Sequence, residues 1–115
     1  MDSMNDKRDQ YRAIVEGILT EIAQFSSKDE AVEDRTLFDR RSDRYAIIAA
    51  GWENEDRVHD IVIHVEIVDG KVWIQADNTD LVVARRLEKA GIPKCDIVLG
   101  FHPPRIRPHT DYAVA

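Results

Sequence analysis

The dipeptide Asp69-Gly70 constrains the fold of this chain more than any other feature of the sequence. It separates two runs of alternating residues within the segment 57–77. Asp-Gly readily adopts the positive φ angles of a two-residue type I′ turn, so the pattern predicts a β-hairpin with a defined register. Counting outward from the turn gives the pairs Val68–Lys71, Ile67–Val72, Glu66–Trp73, Val65–Ile74, His64–Gln75, Ile63–Ala76 and Val62–Asp77.

The two faces of this hairpin differ in chemistry, because successive side chains of a strand point to opposite sides. One face is entirely apolar and carries Ile61, Ile63, Val65, Ile67, Val72, Ile74 and Ala76. The other carries Val62, His64, Glu66, Val68, Lys71, Trp73, Gln75 and Asp77. We therefore expect the apolar face to pack against helices.

Two helices are predicted to supply that cover. The first has an apolar face at helical spacing, formed by Tyr11, Ile14, Val15, Ile18, Leu19, Ile22 and Phe25. The second is predicted from about Asp80 to Ala90, with Asn78 or Thr79 as its N-cap. Gly91 followed by Ile92 and Pro93 predicts a Schellman-type end for this helix.

Three further strands complete the predicted fold. The segments 32–39 and 44–52 are rich in β-favouring residues and suggest a first hairpin, while Ile97–Phe101 suggests a short buried strand. The apolar C-terminal residues Tyr112–Ala115 are predicted to dock on the domain. The fold class is therefore α+β, in the order α-β-β-β-β-α-β, with an antiparallel meander sheet and helices packed on one face.

Composition limits the function classes. A chain of 115 residues fits one domain spanning residues 1–115, of which 1–6 are predicted to be frayed. The single cysteine and a start without a secretory pattern predict a cytoplasmic protein. No apolar run approaches the ~20 residues that cross a membrane. The net charge of −6 makes direct nucleic-acid contact unfavourable.

The polar face of the central hairpin is the candidate functional site. An open sheet face lacks the water-poor cleft that acid–base catalysis requires, so the chain is predicted not to be an enzyme. Exposed aromatic side chains anchor protein interfaces, which favours partner binding centred on Trp73. The alternative is that Trp73 packs beneath a loop or the C-terminal tail. The predicted partner-binding residues are Trp73, His64, Glu66, Gln75 and Asp77.

Two other kinds of site are compatible with the sequence. One is a cation site formed by His64, Glu66 and Asp77, which would suit a nuclease or hydrolase accessory. The spacing of the four histidines does not match a zinc site, so no metal or cofactor is predicted. A DNA-binding regulator would instead use a local basic patch. The residues proposed for such a patch are Arg40, Arg41, Arg44, Arg105 and Arg107.

Several segments in order resemble the XisI family, the fdxN element excision controlling factors. They are Gly51-Trp52, Ile63-His64-Val65, Asp69 to Gln75, Gly91-Ile92-Pro93 and Ile97 to Pro104. The resemblance runs from about Tyr11 to the C-terminus. Cys95 and Gly100 depart from the family pattern and bear on local packing.

The resemblance implies a part in controlling programmed DNA excision in cyanobacteria. The companion factor in that process is XisH, and a separate recombinase carries out the strand chemistry. We therefore expect a non-enzymatic control factor that contacts an XisH-like protein, with self-association as a second expectation and no membrane contact. No catalytic residues are implied by the resemblance.

Overall fold

The structure is a computed structural model that describes residues 3–26 and 31–115, with side chains described for 6–25 and 31–115. Its main elements are α1 (Ser3–Ser26), β1 (Val32–Asp39), β2 (Arg44–Glu53), β3 (Asp56–Val68), β4 (Lys71–Asp77), α2 (Val83–Lys89) and β5 (Ile97–Leu99). A short 3₁₀ turn, Lys94–Asp96, precedes β5, and another, Arg107–His109, follows it. Of the helices that the structure describes, none combines the length and apolar character needed to cross a membrane.

The five strands form one sheet in the order β1-β2-β3-β4-β5. The first four strands are an antiparallel meander, as predicted. Strand β5 pairs parallel to β4, because the chain crosses back through α2 before it re-enters the sheet. The α+β class and the order of elements are confirmed, with one parallel pair at the edge.

Helix α1 packs its predicted apolar face on the sheet. Tyr11, Val15, Leu19 and Ile22 are buried in the core, and helix packing of this kind removes several apolar side chains from water. Phe25 continues this face in the last turn of α1, but it is 73% exposed there and lies outside the core. The helix begins at Ser3, within the segment 1–6 that was predicted to be frayed, and residues 1–2 lie outside the described part.

A β-bulge changes the face of Ile61. The β2–β3 register shifts between Ile47 and Ile48, so that Ile47 pairs with Ile63 and Ile48 pairs with Ile61. Val62 is the extra residue and packs against the core. Ile61 is therefore turned to the side away from the helices and is 49% exposed, which makes its predicted core position wrong.

A second bulge lies in β4. The predicted pairs from Val68–Lys71 to Val65–Ile74 are confirmed. Gln75 is then the extra residue, so His64 pairs with Ala76 and not with Gln75. Beyond the bulge Asp77 pairs with Ile63, a fully buried core residue, which places Asp77 on the helix side of the sheet.

Helix α2 starts later than predicted because Asp77 shapes the loop before it. The Asp77 carboxylate accepts hydrogen bonds from the backbone N–H groups of Thr79, at 3.1 Å, and Val83, at 2.9 Å. A strand carboxylate thus satisfies the first N–H of the helix, and the prediction of Asn78 or Thr79 as N-cap is wrong.

The end of α2 is the predicted Schellman motif. Gly91 has φ 114°, its N–H donates to the Glu88 carbonyl, and the N–H of Ile92 donates to the Leu87 carbonyl. Both Leu87 and Ile92 are buried. The sequence signal for this helix end is therefore confirmed.

The C-terminal residues dock as predicted. The N–H of Ala113 donates to the Ile97 carbonyl at 2.8 Å, and the Tyr112 hydroxyl donates to the Glu88 carboxylate at 2.6 Å. Strand β5 ends at Leu99, two residues earlier than predicted, because the N–H of His102 donates to the Leu99 carbonyl and closes a turn.

Candidate functional site

The candidate site lies on the face of the sheet opposite the helices, called the outer face below. Cross-strand pairing places Arg44 beside Glu66 and Glu66 beside Trp73 in one row across β2, β3 and β4. In the next row Ala46 lies beside His64. The strands thereby bring together side chains that are far apart in the sequence.

Glu66 is the centre of a polar cluster on this face. Its Oε2 atom lies 3.2 Å from Arg44 Nε and 3.4 Å from His64 Nε2. Its Oε1 atom accepts a hydrogen bond from Gln75 Nε2 at 3.1 Å. The bulge at Gln75 keeps that amide on the outer face and within reach of Glu66. One carboxylate thus lies beside three neighbours, which links the polar side chains of this face into one cluster.

Four of the five predicted partner-binding residues share this face, and Asp77 does not. Its carboxylate is used on the other side of the sheet, in the loop before α2. A cation held by His64, Glu66 and Asp77 together is therefore contradicted by the geometry. In the part of the chain that the structure describes, no three His, Cys, Asp or Glu side chains gather as metal ligands.

Trp73 points outward, as the register predicted, but it is partly buried. The guanidinium of Arg107 lies over its ring, 5.0 Å from the centroid. Gly100 also packs closely, since a Cβ atom built there would lie 3.2 Å from Trp73 Cε3. The segment after β5 thus covers part of the ring, as the alternative reading of Trp73 expected.

An apolar strip beside the polar cluster was not predicted from the sequence. Leu37 is 55% exposed in the row of Ala46 and His64, and Ile48 and Ile61 face each other in the neighbouring row. Farther along β2, Trp52 is 52% exposed and stacks with Arg57 at 5.2 Å. Exposed apolar groups that adjoin one another are typical of interaction surfaces.

The five arginines proposed for nucleic-acid contact do not form one patch. Arg40 and Arg41 lie in the β1–β2 turn at one edge of the sheet, whereas Arg105 follows β5 at the other edge. Arg44 is bound to Glu66, and Arg107 donates to the His102 carbonyl at 3.1 Å. Only the separate members Arg41 and Arg105 present exposed side chains without a described ion pair.

Arg40 forms an ion pair with Glu16 of helix α1. Its Nε atom lies 2.5 Å from Glu16 Oε1, and this hydrogen bond raises the pKa of the guanidinium. The β1–β2 turn is therefore tied to α1 through charged side chains. Exposed pairs of this kind contribute little to stability.

A shallow depression of about 380 Å³ borders the polar cluster. Its lining residues are Leu37, Phe38, Asp39, Ser42, Arg44, Tyr45, Ala46 and His64. The lining therefore combines aliphatic, aromatic and charged groups. The outer face can thus offer an apolar contact area together with directional hydrogen-bonding groups.

Comparisons with known proteins identify close relatives. A family model described as XisI protein matches residues 4–114. The chain is similar to a crystal structure of a XisI-like protein from Anabaena variabilis, with a TM-score of 0.89 and 37% identity over 94% of this chain and 99% of that one. It is also similar to the fdxN element excision controlling factor XisI from Anabaena variabilis, with a TM-score of 0.84 and 35% identity over 95% and 99% of the two chains. Among curated proteins the comparison finds no match.

Proposed function

The chain belongs to the XisI family, and on that basis we propose that it is a non-enzymatic factor that controls the excision of a DNA element through protein contacts. The similar protein from Anabaena variabilis, named fdxN element excision controlling factor, supports the link to excision. The proposed partner is an XisH-like protein in the cytoplasm. Direct contact with DNA is left to other proteins, since the chain carries a net charge of −6.

The outer face is the proposed partner-binding surface. Leu37, Ile48 and Ile61 give an apolar strip next to the cluster held by Glu66. Interfaces combine such apolar contact area with polar groups that fix the register of the partner. Rigid strands position both, so little conformational freedom is lost on binding.

Trp73, His64, Glu66 and Gln75 retain the role of partner-binding residues in this proposal. The Arg107 guanidinium covers part of the Trp73 ring, so Trp73 contributes through its remaining exposed edge. Glu66 has the larger organising effect because it holds Arg44, His64 and Gln75 in place. We expect Glu66→Ala to weaken binding by releasing all three neighbours.

Co-expression with the XisH-like protein of the same genome, followed by size-exclusion chromatography with light scattering, tests the proposal. A hetero-complex is expected, and Leu37→Ser with Ile61→Ser should weaken it by ~2 kcal/mol, or about 30-fold. Val114→Ser is the control because it removes a similarly exposed apolar side chain that belongs to neither the apolar strip nor the polar cluster. Independent elution of the two proteins, or equal affinity of the double variant and the control, would overturn the proposal.

Self-association through the same face is a competing use of the surface. Light scattering of the chain alone measures this directly, since the monomer has a mass of 13.2 kDa. If the chain alone forms a dimer that the Leu37→Ser and Ile61→Ser changes dissociate, the outer face serves a second copy. A monomer that assembles only with the XisH-like protein supports the heterologous interface.

A further inference from the structure

Helix α2 carries an uncompensated cluster of positive charge on the side away from the core. Val83, Ala84 and Leu87 are buried, which turns Arg85, Arg86 and Lys89 outward. Within residues 6–25 and 31–115, none of these three side chains has an acidic group within ion-pair distance of 4.0 Å. Nearby Lys94 differs, because its Nζ atom lies 3.8 Å from Glu88 and 3.7 Å from Asp111.

Exposed apolar side chains border this cluster. Phe25 at the end of α1 is 73% exposed, and Leu81 and Val82 before α2 are 40% and 43% exposed. Phe25 and Leu81 line a depression of about 470 Å³ between α1 and the loop before α2. Leu81 and Arg86 also line an adjoining depression of about 960 Å³. The two depressions adjoin at Leu81 and Arg86 and are together called the groove below.

The charges along the groove are unevenly distributed. Its α1 end includes Glu21 and Asp80. Its α2 end includes the cations Arg85, Arg86, Lys89 and Lys94 and the acidic residues Glu88 and Asp111, both of which lie near Lys94. This positive end stands out because the whole chain has a net charge of −6. A ligand that fills the groove must therefore place negative charge over α2 and apolar groups against Phe25 and Leu81.

Val82, in the loop beside the groove, has an unusual backbone conformation. Its backbone has φ 52° and ψ 80°, in the left-handed region that β-branched residues rarely occupy. Such conformations are commonly retained at binding segments, where the surrounding contacts impose them. Here the strained residue also exposes an apolar side chain at the groove.

We propose that this groove is a second docking surface, separate from the outer face, and that it binds a protein segment in which acidic and apolar residues are interspersed. The cations of α2 would pair with the acidic residues, and Phe25, Leu81 and Val82 would contact the apolar ones. A nucleic-acid backbone offers the charge but no aliphatic groups to occupy the apolar part. The acidic balance of the chain also opposes a polyanion as extended as DNA.

Peptide display on the immobilised full-length chain tests the proposal. Peptides selected from a random library are expected to be enriched in Asp or Glu adjacent to Leu, Ile or Phe. A synthetic copy of the strongest peptide is then titrated against Arg85→Glu/Lys89→Glu and against Arg41→Glu/Arg105→Glu, which carries the same change in charge at exposed sites elsewhere. The first variant should bind at least about 10-fold more weakly, and the second within about twofold of the parent chain.

Two further double variants test the charged and the apolar contacts separately. Arg85→Gln/Lys89→Gln replaces the charge-reversal variant if thermal unfolding shows that the latter is unstable, and it should also weaken binding. Phe25→Ser with Leu81→Ser should reduce affinity without changing net charge. A selected set without acidic and apolar enrichment, or equal losses in the groove and control variants, overturns the proposal. Binding of a 20-nucleotide single-stranded DNA with the same dependence on Arg85 and Lys89 also overturns it.

Discussion

The guanidinium of Arg12 and the carboxylate of Asp43 form a bidentate ion pair, with Nε 2.6 Å from Oδ1 and Nη2 3.0 Å from Oδ2. The pair joins helix α1 to the turn of the β1–β2 hairpin. Asp43 is the one buried charged residue within the described residues, and its carboxylate also accepts a hydrogen bond from the Tyr45 hydroxyl at 2.9 Å. Parallel charge-assisted hydrogen bonds of this kind fix geometry as well as contributing energy.

Replacing Arg12 with alanine is expected to lower the free energy of unfolding by about 3 kcal/mol. The substitution leaves the Asp43 charge buried with Tyr45 as its remaining side-chain donor, and an unpaired buried charge is strongly destabilising. Urea denaturation measures the change. Arg41→Ala is the control, because its side chain is exposed, and it should stay within about 0.5 kcal/mol of the parent chain. A loss below about 1 kcal/mol for Arg12→Ala contradicts the prediction.

The same pair predicts acid sensitivity. Burial raises the pKa of Asp43, but hydrogen bonds from Arg12 and Tyr45 outweigh it and hold the pKa below its ordinary value. Asp96 has a lowered pKa for a similar reason, since Lys7 and Tyr11 donate to it. A carboxyl group whose pKa is depressed by folding stabilises the fold above its unfolded pKa of about 3.9, and this contribution is lost as the pH falls through the folded value.

Asp43→Asn isolates the Asp43 contribution to this acid sensitivity. The variant should be less stable than the parent chain at pH 7, and the difference should shrink as the pH falls below about 4. Unfolding curves at several pH values between about 7 and about 2 measure it. A difference that stays constant over this range contradicts the assignment to Asp43.

The sequence pattern predicts the hairpin around Asp69-Gly70, both helices and the end of α2, because each depends on local chemistry. It cannot locate the two bulges. Ile61, Val62 and Ile63 are all apolar, so the alternation is satisfied whether Ile61 or Val62 faces the core. Packing between the strands determines which of the two faces the core. Val62 packs against the core, and Ile61 points outward.

The bulges also limit how much of the candidate site can be predicted from the sequence. Trp73, Glu66 and His64 fall on the outer face as predicted because they lie close to the turn that sets the register. Asp77 lies beyond the second bulge, so its side chain is on the helix side of the sheet and not in the site. The apolar strip was missed for the same reason, since it includes Ile61. Errors thus accumulate with distance from the turn.

Gly51 and Gly17 are expected to respond in opposite directions to substitution by alanine. A Cβ atom at Gly51 would lie 2.0 Å from the Ala31 carbonyl oxygen and 2.6 Å from Val32 Cα, so neighbouring backbone must move. We expect Gly51→Ala to destabilise the fold by at least about 2 kcal/mol. Gly17 lies in α1 with nothing within 4 Å of such an atom, and alanine there should stabilise by about 0.5–1 kcal/mol.

Thermal unfolding of both glycine variants and the parent chain provides the measurement. The two changes add the same methyl group, so their difference reports the local surroundings rather than composition. If Gly51→Ala unfolds at the same temperature as the parent chain, the close approach of the 31–32 backbone to Gly51 is not maintained in solution.

Val82→Asn is expected to stabilise the chain by about 1 kcal/mol. Asparagine occupies the left-handed region more readily than valine, and strain of this kind costs on the order of 1–3 kcal/mol. Leu81→Asn is the matched control, because it removes a similarly exposed apolar side chain at a residue that lacks the positive φ. The melting temperature should rise by about 4 °C for Val82→Asn and not for the control. Equal melting temperatures for the two variants would show that Val82 stores no strain.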